Sequence, residues 1–87
     1  MEEGYMGDTR VAILAIVVED KSKAAELNSL LTEFGEYIIG RMGVPYDKKN
    51  ISLISVALDA PQDVINSLSG KVGSIEGISA KAVYSKV

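Results

Sequence analysis

Cysteine and histidine are both missing from this chain. Without cysteine there is no disulfide framework and no thiolate nucleophile, a composition that fits a reducing cytoplasm. Without thiolate or imidazole, the usual ligands of zinc, copper, nickel and iron–sulfur clusters are gone. The commonest general base near neutral pH is gone with them. No metal and no cofactor is expected. An excess of basic charge is lacking too. Lys and Arg number nine against twelve Asp and Glu, for a net charge of -3, and the cations are scattered apart from Lys48 and Lys49. A nucleic-acid binder concentrates cations against phosphates, so direct binding of DNA or RNA is not expected. The longest apolar run, Val11 to Val18, has eight residues, whereas a membrane span needs about 20. No positively charged leader precedes it. The expected setting is the cytoplasm, away from the membrane.

The 87 residues suffice for one domain. Hydrophobic residues make up 47%, enough for a core and too many for a disordered chain. Residues 1–9 are polar with Gly4 and Gly7 and are expected to form a flexible tail, with Met6 an alternative start; residues 10–87 are expected to form the domain. Arg10 to Val18 is β-branched and almost wholly apolar, the pattern of a central strand. From Ala24 the period changes: Ala24, Leu27, Leu31 and Phe34 line one helix face. Asp20 or Ser22 can cap its start, and Gly35 can end it in the left-handed conformation. Tyr37 to Met42 is predicted as a second strand and Gly43 to Asn50 as a loop of turn formers. Ile51 to Leu58 is predicted as a third strand. Asp59-Ala60-Pro61 then reads as a helix start with Pro61 in its first position. Val64, Ile65, Leu68 and Val72 give the stripe of the second helix, which Gly70 weakens. Gly73 to Gly77 is a turn, and the alternating Ile78 to Ser85 is a final strand.

The order β-α-β-β-α-β carries an internal repeat: Leu27-Asn28-Ser29-Leu30 is echoed by Ile65-Asn66-Ser67-Leu68. Two βαβ halves with right-handed crossovers give an α+β, ferredoxin-like (ACT-like) sandwich, a four-stranded antiparallel sheet with two helices on one face. The expected core is Ile13, Leu27, Leu31, Phe34, Leu53, Val64 and Leu68. The first strand is apolar on both of its faces, yet the helices cover only one. The surplus apolar face predicts a partner, most simply a second copy in a homo-oligomer, as a dimer or tetramer.

Four segments resemble a known family: Glu36 to Tyr46 (EYIIGRMGVPY), Asp59-Ala60-Pro61, Leu68 to Gly73 (LSGKVG) and Ala82 to Lys86 (AVYSK). Together they are similar to the iron-only hydrogenase system regulators, over nearly all of Arg10 to Lys86. That resemblance implies a small regulatory module acting beside iron-only hydrogenase and the maturation of its cofactor, with hydrogenase or its maturation proteins as partners. The fold is also similar to ACT-like modules, which bind small ligands at subunit interfaces, and to the nickel-sensing half of a nickel-responsive repressor. Nickel sensing does not carry over, because its His and Cys ligands are missing here.

The main candidate site is Tyr37, Gly40, Arg41, Met42, Gly43 and Tyr46. Glycine permits close approach. Arg41 offers a donor fork suited to a carboxylate or phosphate, and the tyrosines offer rigid amphipathic surface. A subunit interface, a ligand site and a plain β-hairpin with a bulge at Gly40 all fit this segment. Glu19, Asp20 and Asp59 are weaker candidates. They could bind a cation, but helix capping also accounts for them. Ser69 to Gly73 superficially resembles a phosphate loop but follows a helix instead of preceding one. Acylphosphatases share the topology and use an Arg in a Gly-rich loop after their first strand; here that loop is Glu19-Asp20-Lys21. With no catalytic constellation, the expected function is that of a non-catalytic regulatory module acting by self-association, with small-ligand binding at a subunit interface. The alternative is an assembly factor for hydrogenase maturation that needs no ligand.

Overall fold

A computed structural model describes residues 8–86. The expected tail over residues 1–9 lies, up to Gly7, outside the described residues, as does Met6; Thr9 already belongs to the first strand. The elements are β1 (Thr9–Val18), α1 (Ala24–Glu33), β2 (Ile38–Tyr46), β3 (Ile51–Pro61), α2 (Gln62–Gly73) and β4 (Ile78–Tyr84). The four strands form one antiparallel sheet in the order β2-β3-β1-β4, with β1 and β3 at its centre. This is the ferredoxin-like, ACT-like α+β arrangement that the element order predicts.

Strand alternation decides what is inside. Ala12, Leu14, Ile16 and Val18 of β1 and Val56, Leu58 and Ala60 of β3 point to the helix side and are buried. They meet Leu27 and Leu31 of α1 and Ile65, Leu68 and Val72 of α2, also buried, with Ile75 and Ile78 closing the end. Leu27, Leu31 and Leu68 are therefore core residues as expected. Ile13 and Leu53 are not: they lie on the other side of the sheet, 49% and 44% exposed. Phe34 and Val64 are half-buried at the margin. The error about Ile13 has a simple cause. Both residue sets of β1 are apolar, so hydropathy does not choose the buried face, and shifting by one residue exchanges the two.

Other boundaries move. The segment Gly43 to Tyr46, expected as a loop, continues β2, and the turn is confined to Asp47–Lys49 with Asn50 in the left-handed conformation at φ 56°. Proline is tolerated there because β2 is an edge strand with one row of backbone groups unpaired. The β2–β3 register shifts between Ile38 and Gly40, the bulge anticipated at Gly40. Asp59 is a strand residue opposite Val11 and not a helix cap; Pro61 stands at the N-cap of α2. Gly35 is not left-handed, and among the described glycines only Gly77 has a positive φ, 83°. The backbone carbonyl of Gly77 accepts from the amides of Glu19 (2.7 Å) and Asp20 (3.2 Å), tying the α2–β4 turn to the end of β1.

Two stability predictions follow from this packing. Leu31→Ala removes a side chain that is 1% exposed and should cost about 2–5 kcal/mol in a urea titration; a loss below about 1 kcal/mol would mean the helix packs by another face. Gly77→Ala should destabilise by more than about 1 kcal/mol, because a Cβ there would sit 2.5 Å from the Asp20 Cβ on backbone already at positive φ. Gly70→Ala, within α2 and with nothing near its added carbon, should instead stabilise by about 0.5–1 kcal/mol. Equal effects at the two positions would contradict the described turn.

Candidate functional site

Strand alternation divides the candidate segment between two surfaces. Gly40, Met42, Val44 and Tyr46 point to the open sheet face, while Arg41, Gly43 and Pro45 point to the helix side. Arg41 and Tyr46 thus serve different surfaces. Tyr37 is on neither: it lies in the turn Gly35–Tyr37 before β2, half-buried against the core. The negative charge of neighbouring Glu36 and, to a lesser degree, burial hold its hydroxyl pKa above the ordinary tyrosine value.

The first surface is the open face. Across β3 and β1 it presents Leu53, Ser55 and Ala57 beside Val17, Ala15 and Ile13, which are register partners. Met42 and Val44 flank them from β2, and Val83 from β4. Met42 and Val83 are 66% and 63% exposed. Met42, Val44, Leu53, Ala15 and Val17 line one shallow apolar groove. The strand residues on this face include only two charged groups, Asp59 of β3 and Lys81 of β4, on different strands and of opposite sign.

The second surface is a cleft of about 300 Å³ on the helix side, between the first half of α1 and the β2–β3 edge. Val18, Ala24, Leu27, Pro45 and Ile54 supply its apolar walls. Asn28, Ser52, Lys21 and Arg41 supply its polar groups, and among the described residues no carboxylate lines it. The Arg41 guanidinium donates to Asn28 Oδ1 at 3.0 Å. Lys21 Nζ donates to Asp47 Oδ1 at 3.2 Å, just outside the cleft, with Asp47 exposed. Neither Asn28 nor Lys21 is marked in the sequence. The available signal for Asn28 was its place in the internal repeat, where an exposed Asn recurs at one helix position.

The repeat makes the two α–β corners comparable. In the second half, Gln62 Nε2 donates to Tyr84 Oη at 2.8 Å, and Tyr84 Oη donates to Asn66 Oδ1 at 3.1 Å. Arg10 packs over the Tyr84 ring at 4.8 Å and donates to Gln62 Oε1 at 2.9 Å. That corner is filled. In the first half the repeat puts Ala24 where Gln62 stands and Asn28 where Asn66 stands, and the β2 residue at the level of Tyr84 is Pro45, with Gly43 next to it on the same side of the strand. The cleft is the unfilled corner.

The acidic candidates do not gather into a site. Asp20 caps the turn Lys21–Lys23, accepting from the Ser22 amide at 3.0 Å and the Ser22 hydroxyl at 2.6 Å. Glu19 is exposed beside it, and Asp59 is on the open face. Among the described residues no three Asp or Glu converge on a point that could hold a metal ion. No helix of the described residues is long and apolar enough to cross a membrane.

Fold and surfaces together define the class: a single-sheet ACT-like module with one covered and one uncovered face. The chain belongs to the TM1266-like family, whose model, described as "Iron-only hydrogenase system regulator, putative", matches residues 10–82. Among solved structures it is similar to the uncharacterized protein TM1266 from Thermotoga maritima, at 43% identity and a TM-score of 0.85, over 90% of this chain and 99% of that one. No curated protein matches it.

The hydrogen bonds from Ser22, first from its hydroxyl and then from its amide, hold the Asp20 carboxyl below its ordinary pKa. A carboxylate whose folded pKa is depressed contributes stability above its unfolded pKa and loses it as the pH falls through the folded value. Asp20→Ala should therefore lower the urea midpoint at neutral pH, and the difference from the parent should vanish at pH about 2, well below the ordinary carboxylate range. A difference that is the same at both pH values would remove the cap from the account.

Proposed function

We propose that the chain is a non-catalytic regulatory module of the iron-only hydrogenase system that works as a homo-oligomer through its open sheet face. Family membership supports the setting. The observation that carries the mode of action is the row of apolar side chains on a sheet side that no helix among the described residues covers. A contiguous apolar patch of this kind marks an interaction surface. A second copy suits it, because the face is complementary to itself. Its charged strand residues are one Asp and one Lys, so copies related by a twofold axis can set Lys81 of each toward Asp59 of the other. The interior of the face is aliphatic with a methionine, the composition of an interface core. Partners of the hydrogenase machinery would then meet an oligomer, not a lone 9.3 kDa chain.

Ile13 lies at the centre of the face and outside the core, so Ile13→Lys should leave the fold intact while placing a charge in the interface. In sedimentation equilibrium at micromolar concentration, the parent should have a multiple of the chain mass and the variant the mass of one chain, both with the same circular dichroism. A monomeric parent would overturn self-association and leave the face to a different protein. An Ile13→Lys variant that associates as well as the parent would show that copies meet elsewhere.

A further inference from the structure

We propose that the cleft between α1 and the β2–β3 edge is a binding site for a small monoanionic carboxylate with a branched aliphatic body, held by Arg41. The inference deepens the reading of the chain as a regulatory module. It does not depend on self-association, because the cleft is on the opposite side of the sheet from the open face.

Three features of the cleft define its ligand. The first is charge. The chain as a whole is acidic, with a net charge of -3, yet among the described residues the cleft is lined by Arg41 and Lys21 and by no carboxylate. Lys21 is ion-paired with the exposed Asp47, so Arg41 is the cleft cation without a carboxylate partner among the described residues, which matches a monoanion better than a phosphate dianion. Asn28 holds the guanidinium in place through a neutral oxygen, which orients the fork without cancelling its charge. The second is lining. Val18 and Leu27 are buried side chains at the floor, and Ala24, Pro45 and Ile54 complete apolar walls. Arg41 and Asn28 form one polar end of the cleft, four register positions along β2 from the level of Ser52, and a few polar groups in a mainly apolar cavity are the usual form of a small-molecule site. The third is size. A volume of about 300 Å³ is at the low end for such sites, with room for a short branched acid.

Gly43 separates a built site from a packing fault. Its backbone is not at positive φ, and a Cβ there would meet only Ile54 Cγ1, at an ordinary 3.7 Å. Neither conformation nor crowding calls for glycine in this strand, where glycine is unfavourable. What its missing side chain does is keep the corner open. The matching corner of the second half is closed by Tyr84, whose hydroxyl takes up the hydrogen bonds of Gln62 and Asn66. In the first half the Asn28–Arg41 pair is left facing the cavity.

The test is a methyl and guanidinium NMR titration of the intact chain with isovalerate, using isovaleramide and inorganic phosphate as controls. Isovalerate should produce saturable shifts at the Leu27 and Ile54 methyls and at Arg41 Nε. The amide and phosphate should not. Arg41→Ala should weaken isovalerate at least about tenfold, the loss of a charge-assisted hydrogen bond. Gly43→Leu should fill the corner, abolish the shifts and raise the thermal midpoint. Shifts that fail to saturate, or that survive in Gly43→Leu, would overturn the site. Equal response to the amide would overturn the anion, and equal response to phosphate would overturn the carboxylate. If Gly43→Leu does not fold, the exposed Arg41→Ala decides alone, with unchanged affinity counting against the proposal. Sedimentation of the same samples reads association independently, so a chain that binds but stays monomeric retains the site and loses only the oligomer.

Discussion

Leu14 of β1 and Val56 of β3 face each other across the two central strands, and both are wholly enclosed. Everything else in the molecule depends on their being covered by helices from one side only. A βαββαβ chain with right-handed crossovers must place both helices on the same face of its sheet, so Ala12, Leu14, Ile16 and Val18 of β1 are sealed beneath Leu27, Leu31, Ile65 and Leu68. The odd-numbered ones are left outside. Burying one leucine or isoleucine side chain contributes about 1.5–3 kcal/mol, and in a chain of 87 residues there are few such positions to rely on. The strength of the fold is concentrated in a single layer. The other layer of apolar side chains, including Ile13, Leu53 and Val83, contributes little until something covers it.

The same one-sidedness puts two candidate surfaces back to back. The cleft and the open-face groove share Val44 and Ile54 as lining residues, so only the thickness of the β2–β3 pair separates them. The internal repeat makes the helix-side surface asymmetric. Both halves carry an Asn on the exposed flank of their helix, and each Asn accepts a hydrogen bond from the edge strand that follows. One half closes its corner with the Tyr84 ring, and the other has Pro45 at that level and Gly43 next to it. On the proposal made above, the filled corner serves the structure and the open corner a ligand.

Much of this was legible in the sequence, for identifiable reasons. The change of period at Ala24 marks the first helix, and the repeat marks the two βαβ halves. The surplus of apolar residues in Val11 to Val18 revealed that one sheet face would be uncovered. What the sequence does not say is which face, since Ile13 and Leu14 are equally apolar; the small partners Ser55 and Ala57 on the outer side were the only hint. Gly43 and Pro45 were read as a loop because both are turn formers, whereas an edge strand tolerates them. The placement of Arg41 and Tyr46 on opposite surfaces followed only once that segment was a strand, because alternation has no meaning in a loop. Asp59 was read as a cap because it precedes a proline, and β3 runs two residues past it. Asn28 was visible within the repeat, but its partner lies 13 residues on and is joined to it only by the fold.

The claim on which the account turns is that the open sheet face is covered in the working state by another copy of the chain. Solvent accessibility of its methyl groups measures that directly. With a soluble paramagnetic agent in the buffer, relaxation enhancement is read at the methyls of Ile13, Met42, Leu53 and Val83 as the protein is concentrated, with Leu30 on the helix side as reference. The account predicts that the four open-face methyls lose their enhancement as association proceeds while Leu30 does not change. Open-face methyls that stay as accessible at high concentration as at low would contradict it.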